Sequence, residues 1–377
     1  MKKILIVANF DVGLYNFRRE LLTELLKAYE VHIALPDGEF VPKMQQLGCV
    51  FHETKLERRG MNPLHELELL HTYRKVMKEV QPDAVLTYTI KPNLYAGMIC
   101  SRRKIPFITN ITGLGTAVEG DGLLQKVMIR LYRHAMRGVS RLYFQNRTNE
   151  QYFTEKKIGL GKHDMLPGSG VNLERFPYLE YPPEGKPIEF LFISRVLKEK
   201  GIDQYLGMAE AIKKKYPDTV FRILGFCEDD DSKPDSYRNK IRTLEEKGIV
   251  SFEGMQEDVH PFLKNSQCTV HPSFYPEGMS NVCLESAASG RPVITTKRAG
   301  CRDTVEDGVT GLLVEERSTE DLIQAVEQFL QMPYEKRKEM GIKARQKMER
   351  EFDRRIVVGK YKQTLQEILG GKKNELV

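Results

Sequence analysis

Short, wholly apolar runs recur along this chain, and stretches of helical period separate them. Residues 3–8 give the first run, and Leu21, Leu22, Leu25 and Leu26 then repeat at helical spacing. Further runs stand at 31–35, 84–88 and 106–109, with shorter ones at 142–144 and 164–166. An apolar run without polar alternation is a strand buried on both faces, as parallel strands are when helices cover both sides of the sheet. Pro167-Gly168-Ser169-Gly170 and Tyr181-Pro182-Pro183-Glu184-Gly185 then punctuate the chain, and a second series follows at 188–193, 220–224, 250–252, 268–270, 292–295 and 311–314. Long helices read at about 319–332 and 334–351, and an amphipathic basic stretch at about 353–370. The pattern predicts an α/β protein of two tandem doubly wound Rossmann-like domains facing across a cleft. Ligands of such sheets bind beyond the strand C-termini.

A length of 377 residues suits two domains, and 41% hydrophobic residues is ordinary for a soluble chain. No apolar run reaches membrane-spanning length. Met1-Lys2-Lys3 resembles a signal start, but the apolar run ends at Asn9, which favours a buried first strand. The six cysteines are scattered without a Cys-x-x-Cys pair, which fits reduced thiols in a cytoplasmic protein and no zinc cluster. Net charge is +6 but uneven: residues 1–170 carry 25 Lys+Arg against 17 Asp+Glu, and the remainder 33 against 35. The first half therefore suits an anionic partner: nucleic acid, an anionic lipid surface or a diphosphate. Nucleic acid is disfavoured, because the basic residues lack interleaved aromatics and the chain has no Trp.

The densest constellation is Tyr275-Pro276-Glu277-Gly278-Met279-Ser280-Asn281, which leads to Glu285. Pro276 and Gly278 put Glu277 in a loop, Ser280 reads as a helix N-cap, and Gly290 with Pro292 ends the helix. The amides of Met279, Ser280 and Asn281 are then unpaired donors at a positive helix end, a ready phosphate site. Carboxylates at Glu277 and Glu285 accept from hydroxyls on either side. Phosphate between hydroxyl groups describes a nucleotide sugar. Arg195 and Lys200 flank the turn after the strand at 188–193, where a guanidinium fork and an ammonium suit a diphosphate. Gly225 ends the next strand and would let a ligand approach the backbone. Met255, in the turn after 250–252, reads equally as a nucleobase platform or as plain loop. The loop after the first strand lacks Gly-x-Gly-x-x-Gly, so Gly13 reads either as a turn or as a phosphate approach. Residues 123–142 carry Lys126, Arg130, Arg133, Arg137 and Arg141 on an apolar framework, either a membrane-facing helix or a helix packed on its own domain.

Arg195 to Lys200-Gly201, Phe252-Glu253-Gly254, Glu277-x7-Glu285 and Glu306-Asp307-Gly308-Val309-Thr310-Gly311 occur in this order. Together they resemble the retaining, nucleotide-sugar-dependent glycosyltransferases of the GT-B fold. Thr89-Ile90-Lys91-Pro92-Asn93, residues 110–115 and Phe144-Gln145-Asn146 look like the subgroup that builds bacterial capsule, exopolysaccharide or lipid-linked glycans. The resemblance implies that the last helix crosses back, so the domains become 1–170 plus 353–377, binding acceptor, and 171–352, binding the nucleotide sugar. It implies Glu277 on donor-sugar hydroxyls, Glu285 on the ribose, and Arg195 and Lys200 on the leaving diphosphate. Gly278, Met279, Ser280 and Asn281 would cradle phosphate and sugar, with Gly225, Met255 and Gly13 also near the donor. It implies no metal and no cofactor; Asp229-Asp230-Asp231 is an acidic loop rather than a metal signature. Many relatives carry a His where this chain has Thr112, so Thr112 with Gly113 is left to line the acceptor pocket. Lys91 is either an acceptor-phosphate contact or a surface cation. The implied partners are a nucleotide sugar, a lipid-linked saccharide acceptor and an anionic membrane surface at the inner face of the cell membrane. A nucleotide-sugar 2-epimerase of the same fold is the alternative.

Overall fold

The computed structural model describes residues 1–55, 63–115, 122–227 and 236–370. The chain divides into two compact units, Met1–Gly170 with Arg354–Val377, and Val171–Asp353.

The first unit runs β1 (Lys3–Val7), α1 (Asp11–Leu26), β2 (Glu30–Leu35), α2 (Val41–Gln46), β3 (Val50–Glu53), α3 (Pro63–Val80), β4 (Ala84–Tyr88), α4 (Ile90–Arg103), β5 (Phe107–Ile111), α5 (Leu123–Ala135), β6 (Arg141–Phe144), α6 (Arg147–Glu155) and β7 (His163–Met165). Its seven strands pair in the order β3-β2-β1-β4-β5-β6-β7, and each pairing is parallel. The apolar run of β1 serves both faces. Leu5 and Val7 join one core with α3, α4 and α5, while Ile4 and Ile6 join another with α1. The sequence reading missed β3, a four-residue edge strand whose exposed Val50 and polar His52 and Glu53 break the apolar signal.

The second unit runs β8 (Glu189–Ile193), α7 (Ile202–Lys215), β9 (Val220–Leu224), α8 (Tyr237–Glu246), β10 (Ser251–Gly254), α9 (His260–Asn265), β11 (Cys268–His271), α10 (Asn281–Ala288), β12 (Val293–Thr296), β13 (Gly311–Val314), α11 (Thr319–Gln331) and α12 (Tyr334–Glu351). Its six strands pair in parallel in the order β10-β9-β8-β11-β12-β13. Phe190 and Phe192 pack on one face, Leu191 on the other. Strand order reverses between β8 and β11 here, and between β1 and β4 in the first unit. Connections diverge at such a point and leave room for a ligand.

The last helix, α13 (Arg354–Ile368), packs on the first unit, where Val357, Tyr361 and Leu365 enter the core of β1 and α1. Buried Arg354 fixes its start, donating to the Asn16 carbonyl (2.9 Å) and the Glu20 carboxylate (3.0 Å). Gly170 holds φ +64°, and a Cβ there would lie 2.6 Å from Arg354 Cα. Tyr361 accepts from Asn110 of β5 at 2.9 Å. Ile356 of the same helix is exposed.

Two expectations of local structure change. The stretch 9–15, read as a loop, is already helical from Asp11, and Asp11 accepts from the Phe40 amide at 2.8 Å. The basic stretch 123–142 is not a single helix, since α5 stops at Ala135, a 3-10 turn carries Arg137, and Arg141 belongs to β6.

Candidate active site

In the second unit, the polar residues gather beyond the C-terminal ends of β8 and β11, at the strand-order reversal. After β8 the chain makes a 3-10 turn over Lys198–Lys200 and enters α7 through Gly201 at φ +80°. A Cβ on Gly201 would lie 2.1 Å from the Pro272 carbonyl oxygen. That close approach lets the Phe274 amide donate to Glu199 O at 2.9 Å. The Lys200 turn and the Glu277 loop are thus joined backbone to backbone.

Across that seam the Lys200 ammonium is hydrogen-bonded to the Glu277 carboxylate, with the two side chains 12% and 14% exposed. The Ser273 hydroxyl donates to the same carboxylate at 3.4 Å, and the Tyr275 ring centroid lies 4.8 Å from the Lys200 nitrogen. His271 Nε2 is 4.0 Å from Glu277 Oε1, and its imidazole is wholly buried. Burial pushes its pKa down to about 4, with Lys200 adding to the effect and Glu277 opposing it.

Ser280 caps α10, its hydroxyl accepting from the Cys283 amide at 3.5 Å. One detail departs from the sequence reading: the Ser280 amide is not an open donor. It binds Gly300 O at 2.9 Å, and Gly300 has no side chain because a Cβ would lie 2.6 Å from Gly278 O. Among the described residues the amides of Met279 and Asn281 have no hydrogen-bond partner. The Met279 side chain is buried in the core, so its backbone alone is presented. Glu285 is half-buried in α10, a little more than one turn from its start.

Arg195, following β8, is exposed and makes no ion pair among the described residues. Gly225 stands at φ +154°, and the space a Cβ would fill is held by Ser194 O at 1.7 Å. Its missing side chain therefore serves close backbone packing between two turns. Met255 is 75% exposed, beyond Gly254.

The far end of α10 is held by Arg291, the largest wholly buried side chain. Its guanidinium donates to the carbonyls of Leu263 (2.6 Å), Glu180 (2.8 Å) and Leu179 (3.0 Å), with longer contacts to Ser289, Gly290 and Lys264. Burial lowers its pKa to about 10.

In the first unit, Gly13 lies in the first turn of α1 with the Phe10 ring 2.6 Å from where its Cβ would be. Lys91, in the first turn of α4, already pairs with Glu66 of α3 at 2.6 Å. Thr112 and Gly113 (φ +147°) follow β5, and both are half-buried. Thr89 holds φ 71° and ψ 168° at the β4–α4 turn, a conformation nearly confined to glycine. The sequence reading quoted Thr89 within the stretch 89–93 but did not anticipate its backbone, and it had no signal for His271, which reads as one polar letter in an apolar strand. Of the five cations at 123–142, Arg141 pairs with Glu367 at 3.0 Å and Arg133 donates to Lys156 O at 2.7 Å. A hollow of about 560 Å³ between α3, α4 and α5 is lined by Arg74, Arg102, Arg103 and His134 over Leu70, Met98 and Ile99. Asp229-Asp230-Asp231 lies outside the described residues. No described helix is long and apolar enough to cross a membrane.

Two units, each a parallel, doubly wound sheet, are the fold of the GT-B glycosyltransferases. Residues 180–347 match the family model described as Glycosyl transferases group 1, and residues 3–146 match that of Glycosyl transferase 4-like. The two models together take in most of the chain, and the chain belongs to this glycosyltransferase family. It is 23% identical over 344 residues to the N,N'-diacetylbacillosaminyl-diphospho-undecaprenol alpha-1,3-N-acetylgalactosaminyltransferase of Campylobacter jejuni, spanning 86% of this chain and 88% of that one. Among solved structures it is similar to a glycosyltransferase from Rickettsia africae (TM-score 0.79, 20% identity, 98% of this chain and 99% of that one). It is also similar to Anabaena HepE in complex with UDP-glucose (TM-score 0.79, 16% identity, 97% of this chain and 100% of that one).

Proposed function

We propose that this glycosyltransferase is retaining and metal-independent, and that it moves a hexose or N-acetylhexosamine from a nucleotide sugar, UDP-linked, to a lipid-linked saccharide in cell-surface glycan synthesis. The observation that carries this reading is the Lys200–Glu277 pair beside the open amides of Met279 and Asn281. The pair brings a cation for phosphate and a carboxylate for hydroxyls to one helix end. The acceptor class is drawn from the Campylobacter relative, whose name specifies a diphospho-undecaprenol saccharide.

In this reading the amides and Lys200 hold the diphosphate, and Arg195 closes on it as a bidentate fork. Glu277 accepts from hydroxyls of the donor sugar, and Glu285 from the ribose. The bond from the anomeric carbon to the leaving oxygen breaks as the acceptor oxygen attacks from the same face. The acceptor proton passes to the departing phosphate. Cations and amides placed beforehand around the developing negative charge do the work a metal does elsewhere. Lys91, Thr112 and Gly113 remain the candidates for acceptor contact. The same reading has the first unit meet an anionic membrane surface through α5, where Leu123, Leu124 and Val127 are exposed among Lys126 and Arg130.

The test is incubation of purified protein with UDP-sugars and a polyprenyl-diphosphate saccharide, with NMR of the product linkage. Transfer with the donor's anomeric configuration supports the proposal. Inversion overturns retention, and release of free UDP with an altered sugar and no acceptor favours the epimerase.

A further inference from the structure

His271 closes β11 with an imidazole 1% exposed, and among the described residues neither ring nitrogen has a hydrogen-bond partner. A neutral imidazole always carries one N–H, and a buried donor without an acceptor is a standing free-energy cost. The ring cannot escape by moving its backbone, because its carbonyl accepts from the Thr295 hydroxyl at 2.7 Å. The nearest charged acceptor is Glu277, whose Oε1 is 4.0 Å from Nε2. That is too long for a hydrogen bond, and a shift of about 1 Å would make one.

The bonded counter-ion of Glu277 is now Lys200. In the proposed reaction Lys200 is needed on the leaving diphosphate. Turning there, it strips a counter-ion from a carboxylate that is nearly buried. A carboxylate has lone pairs for more than one donor, so one oxygen can be held from behind while the other faces sugar hydroxyls.

We propose that His271 is a positioning residue for Glu277: its Nε2–H takes up one carboxylate oxygen as Lys200 moves to the diphosphate, keeping the other oxygen aimed at the donor sugar. The inference rests on the donor-site reading above. Ionisable groups facing this carboxylate are Lys200 from the turn after β8, His271 from β11, Cys283 from α10 and Cys301 from the stretch after β12. The imidazole remains neutral across the working range because burial opposes its protonation.

The test uses the full chain, ¹⁵N-histidine labelling and UDP as probe. In wild type we expect a neutral His271 in the Nε2–H tautomer, with its N–H resonance moving downfield when UDP binds. In Glu277→Ala the movement is lost although UDP still binds. An Nδ1–H tautomer, or UDP binding with no change at His271, overturns the proposal and leaves the donor site intact. Failure of UDP, GDP and inorganic diphosphate alike to bind overturns the donor-site reading, and this inference with it. Turnover gives a second readout. His271→Leu should lose tenfold or more in kcat with UDP affinity unchanged, while His271→Gln, which keeps a donor, should stay within threefold. Equal activity of the folded Leu and Gln variants would make the residue a packing element only.

Discussion

Lys200 and Glu277 lie 77 positions apart and are bound to each other, on two turns stitched by the Phe274 amide and the Glu199 carbonyl. Each pairs with the other, so removing either takes the bonded counter-charge from a nearly buried group. Glu277→Ala is expected to abolish transfer, and Glu285→Ala to weaken UDP binding. Loss of a hydrogen bond to a charged group costs about 1.5–3 kcal/mol, a loss of roughly ten- to a hundred-fold. Steady-state kinetics and calorimetric titration with UDP check both. Wild-type values in the two variants would sink the site.

Arg195→Lys is expected to behave like Arg195→Ala in turnover. Lysine supplies a point charge, whereas a guanidinium after β8 would offer two parallel donors to the diphosphate of the proposed donor. Recovery of most of the activity by lysine would show that only charge matters. A crystal with UDP in which Arg195 stays remote from the phosphates would remove it from the site.

The buried His271 predicts a pH effect on stability. Its pKa falls from the ordinary 6.5 to about 4 in the folded chain. The unfolded chain therefore takes up this proton first as pH falls. The contribution is fully present above 6.5 and is lost progressively down to about 4, reaching about 3 kcal/mol in all. Melting temperatures between pH 7 and 4 should fall more steeply for wild type than for His271→Leu. Parallel curves would show that the imidazole titrates normally.

Arg291→Met should destabilise the second unit by more than about 3 kcal/mol, since several buried carbonyls lose their donor at once. Arg291→Lys should recover little, because an ammonium with three donors does not span carbonyls placed for a planar fork. Urea titration of the full chain measures this. A shift of less than 1 kcal/mol would mean that those carbonyls find other donors.

Membrane binding is expected to follow α5. Each cation near an anionic leaflet is worth about 1 kcal/mol. Lys126, Arg130 and Arg133 changed together to Glu should reduce co-sedimentation with phosphatidylglycerol vesicles at low salt by tenfold or more. The same change at Arg74, Arg102 and Arg103, which line the hollow between α3, α4 and α5, should have a smaller effect. A larger effect from the second set would move the lipid contact to that hollow.

The parallel, doubly wound architecture was legible because every buried strand has to be apolar on both faces, and such runs stand out. The Ser280 cap was legible for a similar local reason, since an N-cap is a short-range hydrogen bond. The sequence could not reveal that the Ser280 amide is taken by Gly300, or that Gly225 makes room for Ser194 O, because both depend on a neighbouring loop. The basic stretch misled for the opposite reason. Cations every three or four residues look helical, but Arg141 is the first residue of β6. His271 gave no pattern at all; its meaning is its burial beside Glu277.

Arg291 links the α10 end to carbonyls of residues 179–180 and 263–264. Three segments distant in the chain must therefore assemble before α10, the helix behind the open Met279 and Asn281 amides, has a fixed end. With the donor site proposed above, nucleotide titration then doubles as a folding assay for the second unit. It also sets a rule for protein engineering: a circular permutation or a protease nick between 179 and 291 that loosens any of the three segments should erase UDP binding together with the thermal transition.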